Sequence, residues 1–140
     1  MKKGFEHRNR LMCHFNFLNP KCLAFLINLG FAFVVFSFFM WRDGSGGLFS
    51  LSNDFDAQEL AFNMFANREI KAGNIYFNWA IDIGSDFISS FSFYNLGSPF
   101  FWITLLFPPS FFPYLVGWIY MLKYAVAGLT AYLYLERYVQ

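Results

Sequence analysis

Near the start of the chain a long uncharged run is apolar at nearly every position instead of alternating or gathering on one stripe. Residues 22–41, CLAFLINLGFAFVVFSFFMW, hold no charge and are bracketed by Lys21 and Arg42. At about 1.5 Å per residue, twenty helical residues cover roughly the 30 Å hydrocarbon core of a bilayer, so the run predicts a transmembrane helix with Trp41 at the interface. A second long apolar stretch, residues 113–135, stops at Glu136 and Arg137 and reads as the return span. It carries Lys123 in its interior and the small residues Ala125, Ala127 and Gly128, which would let another helix approach. Residues 99–107 are apolar too, but nine residues cannot cross a bilayer and Pro108 and Pro109 end the run, so this segment is expected at the interface or re-entrant.

Between the spans the pattern changes twice. A Gly/Ser hinge over residues 43–52 leads to Asn53, placed to cap a helix with Asp54 and Asp56 in its first turn. Ala57, Leu60, Ala61, Met64 and Phe65 follow at helical spacing. Arg68 and Lys71 come near the end and Gly73 just beyond it, the order expected for a helix dipole and its stop. An amphipathic helix over about 54–72 is predicted, lying along the membrane surface or under other spans. Residues 74–98 mix aromatic, Gly, Ser, Asn and Asp residues without a sustained period, so an ordered loop with short helical pieces is expected.

Composition agrees with lipid as the solvent. The chain is 57% hydrophobic and 24% aromatic with 14% charged residues, against about 25% charged in soluble domains, too few to cover a water-exposed surface. Residues 1–21 carry a net charge of +4 and residues 42–112 a net charge of −4. The positive-inside rule then places residues 1–21 and 136–140 in the cytoplasm and the loop outside. The basic residues sit in a short tail beside a span, which is no footprint for nucleic acid. A cleaved signal peptide is the competing reading, since Gly44-Ser45-Gly46-Gly47 follows the first span; the run exceeds a signal core of about 7 to 15 residues and no clear A-x-A site follows. Cys13 and Cys22 fall at the cytoplasmic edge, where thiols stay reduced, with palmitoylation of Cys22 as an option. His7 and His14 are too irregularly spaced to make a metal site, and neither metal nor cofactor is expected.

Four short tracts carry a family resemblance. They are Asp54 with Gln58 four residues later, WAIDIGSDF from Trp79 to Phe87, YNLGSPF from Tyr94 to Phe100, and Leu122-Lys123 followed by AVAGLTAYLYL. From about Cys22 onward the chain resembles the amino-terminal part of YfhO-type bacterial membrane proteins, large polytopic enzymes of the GT-C type. The resemblance implies a plasma-membrane glycosyltransferase that moves a sugar from a polyprenyl-phosphate carrier to a cell-envelope glycopolymer acceptor outside the cell, with an acidic residue of the first outer loop near the reacting groups. Two spans are far fewer than such enzymes have. The expectation is therefore an amino-terminal fragment of an all-α, multi-pass GT-C-like bundle, inactive alone. The alternative is a small two-span membrane protein that binds a partner through its outer loop without catalysis.

Within that reading Asp54 is the candidate catalytic residue, since a carboxylate can accept the acceptor's proton or hold its hydroxyl. Its bland reading is a helix-start acid that favours the dipole. Asp54-Phe55-Asp56 is not a metal-binding DxD motif, because helical residues two apart point about 200° away from each other and no nucleotide-binding domain is present. Gln58, one turn after Asp54, is placed to hold a sugar hydroxyl. Asp86 is a second candidate binding residue; with Asp82 it flanks Gly84 and reads otherwise as a solvated loop acid. Lys123 is costly at mid-membrane, so it either pairs with an acid of another span or helps hold the donor phosphate. Trp79, Tyr94, Trp102 and Trp118 can stack on sugar, although interface anchoring explains them without a ligand.

Overall fold

The computed structural model describes residues 19–139 except Ser45 and Ser52. Cys13, both histidines, the end residue of the 136–140 segment and all but the last three residues of the 1–21 basic tail lie outside the described residues. The described residues are mostly helical. Helix α1 is Pro20–Trp41. The stretch that follows holds a π-wound turn Phe55–Leu60, α2 at Ala61–Ala72, a two-stranded hairpin of β1 Phe77–Asn78 and β2 Ser85–Asp86, and α3 at Phe87–Phe91. A second π-wound turn Ser92–Leu96, α4 at Pro99–Thr104 and a 3-10 turn Pro109–Phe111 lead into α5, Phe112–Tyr138.

Helix α1 starts where capping chemistry allows. The Asn19 side-chain carbonyl accepts the Lys21 N–H at 3.1 Å, and Pro20 occupies the first helical position, where its missing N–H costs nothing. Among the described residues α1 alone is both long and apolar enough to cross a membrane. Its 27-residue counterpart α5 is longer, but Lys123 and six tyrosines dilute its apolar character. Helix α1 is apolar all round and leaves Ile27, Phe31, Val34 and Phe38 exposed, as a lipid-facing helix does.

The chain divides into two compact units, one of the stretch ending at Val34 with that from Met121, the other Val35–Tyr120. In the first, Lys21 and Glu136 form an ion pair at 3.3 Å, and Ala32 and Ala125 are buried. A Cβ on Gly128 would collide with the Asn28 amide, so the small-residue patch of the second apolar run is where the first run's one amide sits. Asn28 donates back to the Ala24 carbonyl at 2.8 Å, a bond within its own helix.

In the second unit, Phe49 is fully buried between Phe36, Phe55 and Tyr120, with ring centroids 5.4 to 5.9 Å away. The Phe49 N–H donates to the Pro113 carbonyl at 3.1 Å. Met40 lies against Gly117, where a Cβ would come within 2.7 Å of its sulfur, and Trp41 meets Trp118 edge to face. The loop has its own core of Ala66, Ile81, Phe87, Phe91 and Phe101.

The stretch expected as one amphipathic helix over about 54–72 differs in winding and in face. Its first turn is π-wound, and Asn53 enters it in the left-handed region (φ +56°), its carbonyl accepting the Asp56 and Ala57 N–H groups. Ala57 and Ala61, expected inside, are exposed, while Asn63, Ala66, Asn67 and Glu69 are buried. The wider turn shifts the phase of everything after it, so a face counted at 3.6 residues per turn from Asp54 meets the core only in part: Leu60, Met64 and Phe65 are half-buried, and Phe65 packs on the core. The end is as the sequence implies: Gly73 (φ +78°) donates to Ile70 and Asn74 to Glu69, closing the helix in a Schellman motif.

Candidate functional site

Three of the four tracts that carry the resemblance lie at turning points between α1 and α5, and the fourth, from Leu122, lies within α5. Trp79 to Gly84 form the tip of the β1–β2 hairpin, in which Phe77 pairs with Asp86 and Asn78 with Ser85. Gly84 takes φ +102°, and a Cβ there would lie 2.7 Å from the Phe77 ring and 2.9 Å from the Trp79 ring, so two aromatic rings fold over the turn only because the residue is glycine. The tract from Tyr94 to Phe100 includes most of the second π-wound turn and the start of α4, with Ser98 extended at the N-cap and Pro99 at the first position.

Asp54 and Gln58 are both exposed on the first π-wound turn. Asp54 heads the turn with no side-chain capping bond, so its carboxylate is not used up by the helix start. Asp86 is differently employed: it caps α3, accepting the Ser89 N–H at 2.8 Å. That N–H, and then the Ser89 side chain, hold the Asp86 carboxyl below the usual aspartate value. Lys123 is half-buried on α5. Asp54, Gln58 and Asp86 belong to the Val35–Tyr120 unit and Lys123 to the other.

Asp56 is turned away from Asp54, as helical spacing requires. Its Oδ2 accepts the Ser50 hydroxyl at 2.7 Å, while Oδ1 is buried without a hydrogen-bond partner among the described residues. With Leu60, Met64, Arg68 and Pro109 it lines a cleft of about 490 Å³. Glu59 accepts the Tyr120 hydroxyl at 3.2 Å, tying the π-wound turn to α5.

Glu69 is a functional-looking residue that periodicity did not single out. Its carboxylate, 7% exposed, accepts Arg68 Nε at 2.9 Å, Asn74 Nδ2 at 3.0 Å and Asn78 Nδ2 at 2.8 Å. Burial works to raise its pKa, but these donors from Asn74, Arg68 and Asn78, with the Arg68 charge, outweigh it and hold the carboxyl below the usual glutamate value. Glu69 thus ties the end of α2 to the hairpin and is a structural anchor. The available signal was the pair Asn74 and Asn78, two amides just past a helix stop. Asn67 and Asn95 were equally silent in the sequence: Asn67 Nδ2 donates to the Thr104 carbonyl at 2.8 Å, and both amide atoms of the buried Asn95 have no partner among the described residues.

The aromatic residues divide into anchors and linings. Trp102 Nε1 donates to the Leu96 carbonyl at 3.0 Å, Trp118 packs on Trp41, and Trp79 lies edge-on to Phe77 at 5.0 Å. Tyr94 lines a cleft of about 560 Å³ with Phe62, Phe65, Asp82, Ser90 and Phe91. Neither this cleft nor that beside Asp56 is lined by Asp54, Gln58 or Asp86.

Residues 23–140 match the profile of the family described as Bacterial membrane protein YfhO. No curated protein and no solved structure matches the chain.

Proposed function

The chain belongs to the YfhO family of bacterial membrane proteins, and from that premise we propose that it forms the first outer-loop module of a multi-pass glycosyltransferase. The reaction is transfer of a sugar from a polyprenyl-phosphate carrier to a cell-envelope acceptor. Asp54 accepts the proton of the acceptor hydroxyl or holds that hydroxyl in place, Gln58 and Asp86 bind substrate, and Lys123 helps hold the anionic donor. The observation that favours this is the Asp54 carboxylate, exposed at the head of a π-wound turn and not committed to capping it; such turns recur at functional sites. In the parent protein, Asp54→Asn removes sugar transfer while membrane insertion stays intact. Unchanged transfer by that variant overturns the assignment.

The proposed topology has residues 1–21 and 136–140 in the cytoplasm, spans at residues 22–41 and 113–135, and residues 42–112 outside the plasma membrane. A reporter fused after Gly47 is expected to register the outer compartment, and a cytoplasmic signal there refutes the orientation. A second reading, a small two-span membrane protein that binds a partner through its outer loop without catalysis, is favoured by the bare aromatics Phe77, Trp79 and Phe93 of that stretch.

A further inference from the structure

The loop cleft of about 560 Å³ is of the size that holds a small ligand. Its floor is aromatic: Phe65 and Phe91 are stacked at 5.6 Å, and Phe62 meets Phe91 edge to face at 5.8 Å. Tyr94 is half-exposed, its ring fixed by edge contacts to Phe62 at 5.3 Å and Phe93 at 5.6 Å. The polar groups are a carboxylate and hydroxyls. Ser90 is paired with the Ser85 hydroxyl at 3.1 Å, and Asp82 is held at φ +50° in the left-handed region, which directs an exposed acid to the cleft wall. Residues in such sparsely populated backbone regions concentrate at binding sites.

We propose that this cleft binds a neutral pyranose ring. An aromatic wall accepts the C–H face of a sugar, and an ionised carboxylate accepts its hydroxyls in charge-assisted hydrogen bonds. Among the described residues Asp82 is the charged side chain lining the cleft, with the Arg68 guanidinium outside it, 5.1 Å from the Phe65 ring centroid; the Asp82 carboxylate at the wall disfavours a phosphate or a uronic acid beside it, while an uncharged ring meets no such repulsion. The cleft therefore selects the ring and leaves the phosphate of a glycosyl donor outside. Assigning the ring to donor or acceptor rests on the function proposed above; the binding itself does not.

The test uses the chain in lipid nanodiscs, titrated with methyl β-glucopyranoside, methyl β-galactopyranoside and, as charged comparator, glucose 1-phosphate, with saturation-transfer NMR as the readout. At least one neutral glycoside binds saturably, and the phosphate binds about tenfold more weakly. Asp82→Asn keeps the left-handed backbone, which asparagine also adopts. It weakens the glycoside about tenfold and brings the phosphate to parity. Tyr94→Ala loses binding and Tyr94→Phe keeps it. If Tyr94→Ala does not fold, Ala61→Phe, which fills the cleft from an exposed position, takes its place with the same expectation. Absence of binding by both neutral glycosides, or equal binding by folded Asp82→Asn and the cleft-blocking variant, overturns the proposal. Transfer by the parent protein is read separately: loss of transfer in Asp54→Asn without glycoside binding sinks the cleft alone, and binding with transfer unchanged in Asp54→Asn sinks the catalytic role alone.

Discussion

Along α1 the bare positions are Ile27, Phe31, Val34 and Phe38, whereas in the loop the hidden ones include Asn67, Glu69, Asn95 and Thr104. Helix α1 hides little beyond Ala32 and Met40 and turns its large side chains outward. Between Asn53 and Phe111 phenylalanines build a core, and amides and a carboxylate are enclosed with them. A helix whose surroundings are hydrocarbon gains nothing from hiding leucine and phenylalanine, so close approach is left to small residues. The stretch from Asn53 to Phe111 encloses Phe87, Phe91 and Phe101 while leaving Phe77, Trp79 and Phe93 bare, and the polar side chains enclosed in its core need partners.

The sharpest break of that comparison is at Glu69. Glu69→Ala leaves Asn74 and Asn78 without their acceptor and costs the loop roughly 2–4 kcal/mol, read by thermal unfolding in nanodiscs followed by near-UV circular dichroism. The same carboxyl makes loop stability depend on pH. Its folded pKa is depressed, so its contribution is complete above the ordinary glutamate value and is lost as pH falls through the folded one. Glu69→Gln flattens this acid limb; an unchanged limb shows that other carboxyls carry it.

A smaller effect is expected in the Asn28–Gly128 contact. Gly128→Ala drives a methyl group into the Asn28 amide and costs about 1–3 kcal/mol. Asn28→Ala relieves it, so the double variant is more stable than Gly128→Ala alone. Additive losses show that the two residues do not meet. The smallest effect separates two enclosed amides. Asn67→Leu forfeits a bond to Thr104 and costs about 1–2 kcal/mol, whereas Asn95→Leu replaces a group without partners among the described residues and stays within about 0.5 kcal/mol of the parent or exceeds it. A large loss at Asn95 points to a bound water or polar contact there.

Much of the candidate site was visible beforehand only as residue types. Asp54 and Gln58 were legible as an exposed polar pair because four residues make about one turn in either winding. Asp86 looked like a free acid and proved to cap α3, since a cap requires knowing where a five-residue helix begins. Tyr94 and Asp82, weighed as an interface anchor and a solvated acid, line one cleft because the hairpin and the second π-wound turn fold toward α2.

Sequence alone determined the membrane character, the uncharged run that became α1, the glycine stop of α2 and the family, because each depends on composition or on neighbours a few residues apart. Tertiary structure decided which face of α2 is inside, that Asn28 meets Gly128, that Glu69 gathers three donors, and that aromatic residues far apart in the chain wall a cleft. Those outcomes depend on the winding of one turn and on packing between residues tens of positions apart, and neither is encoded in a local pattern.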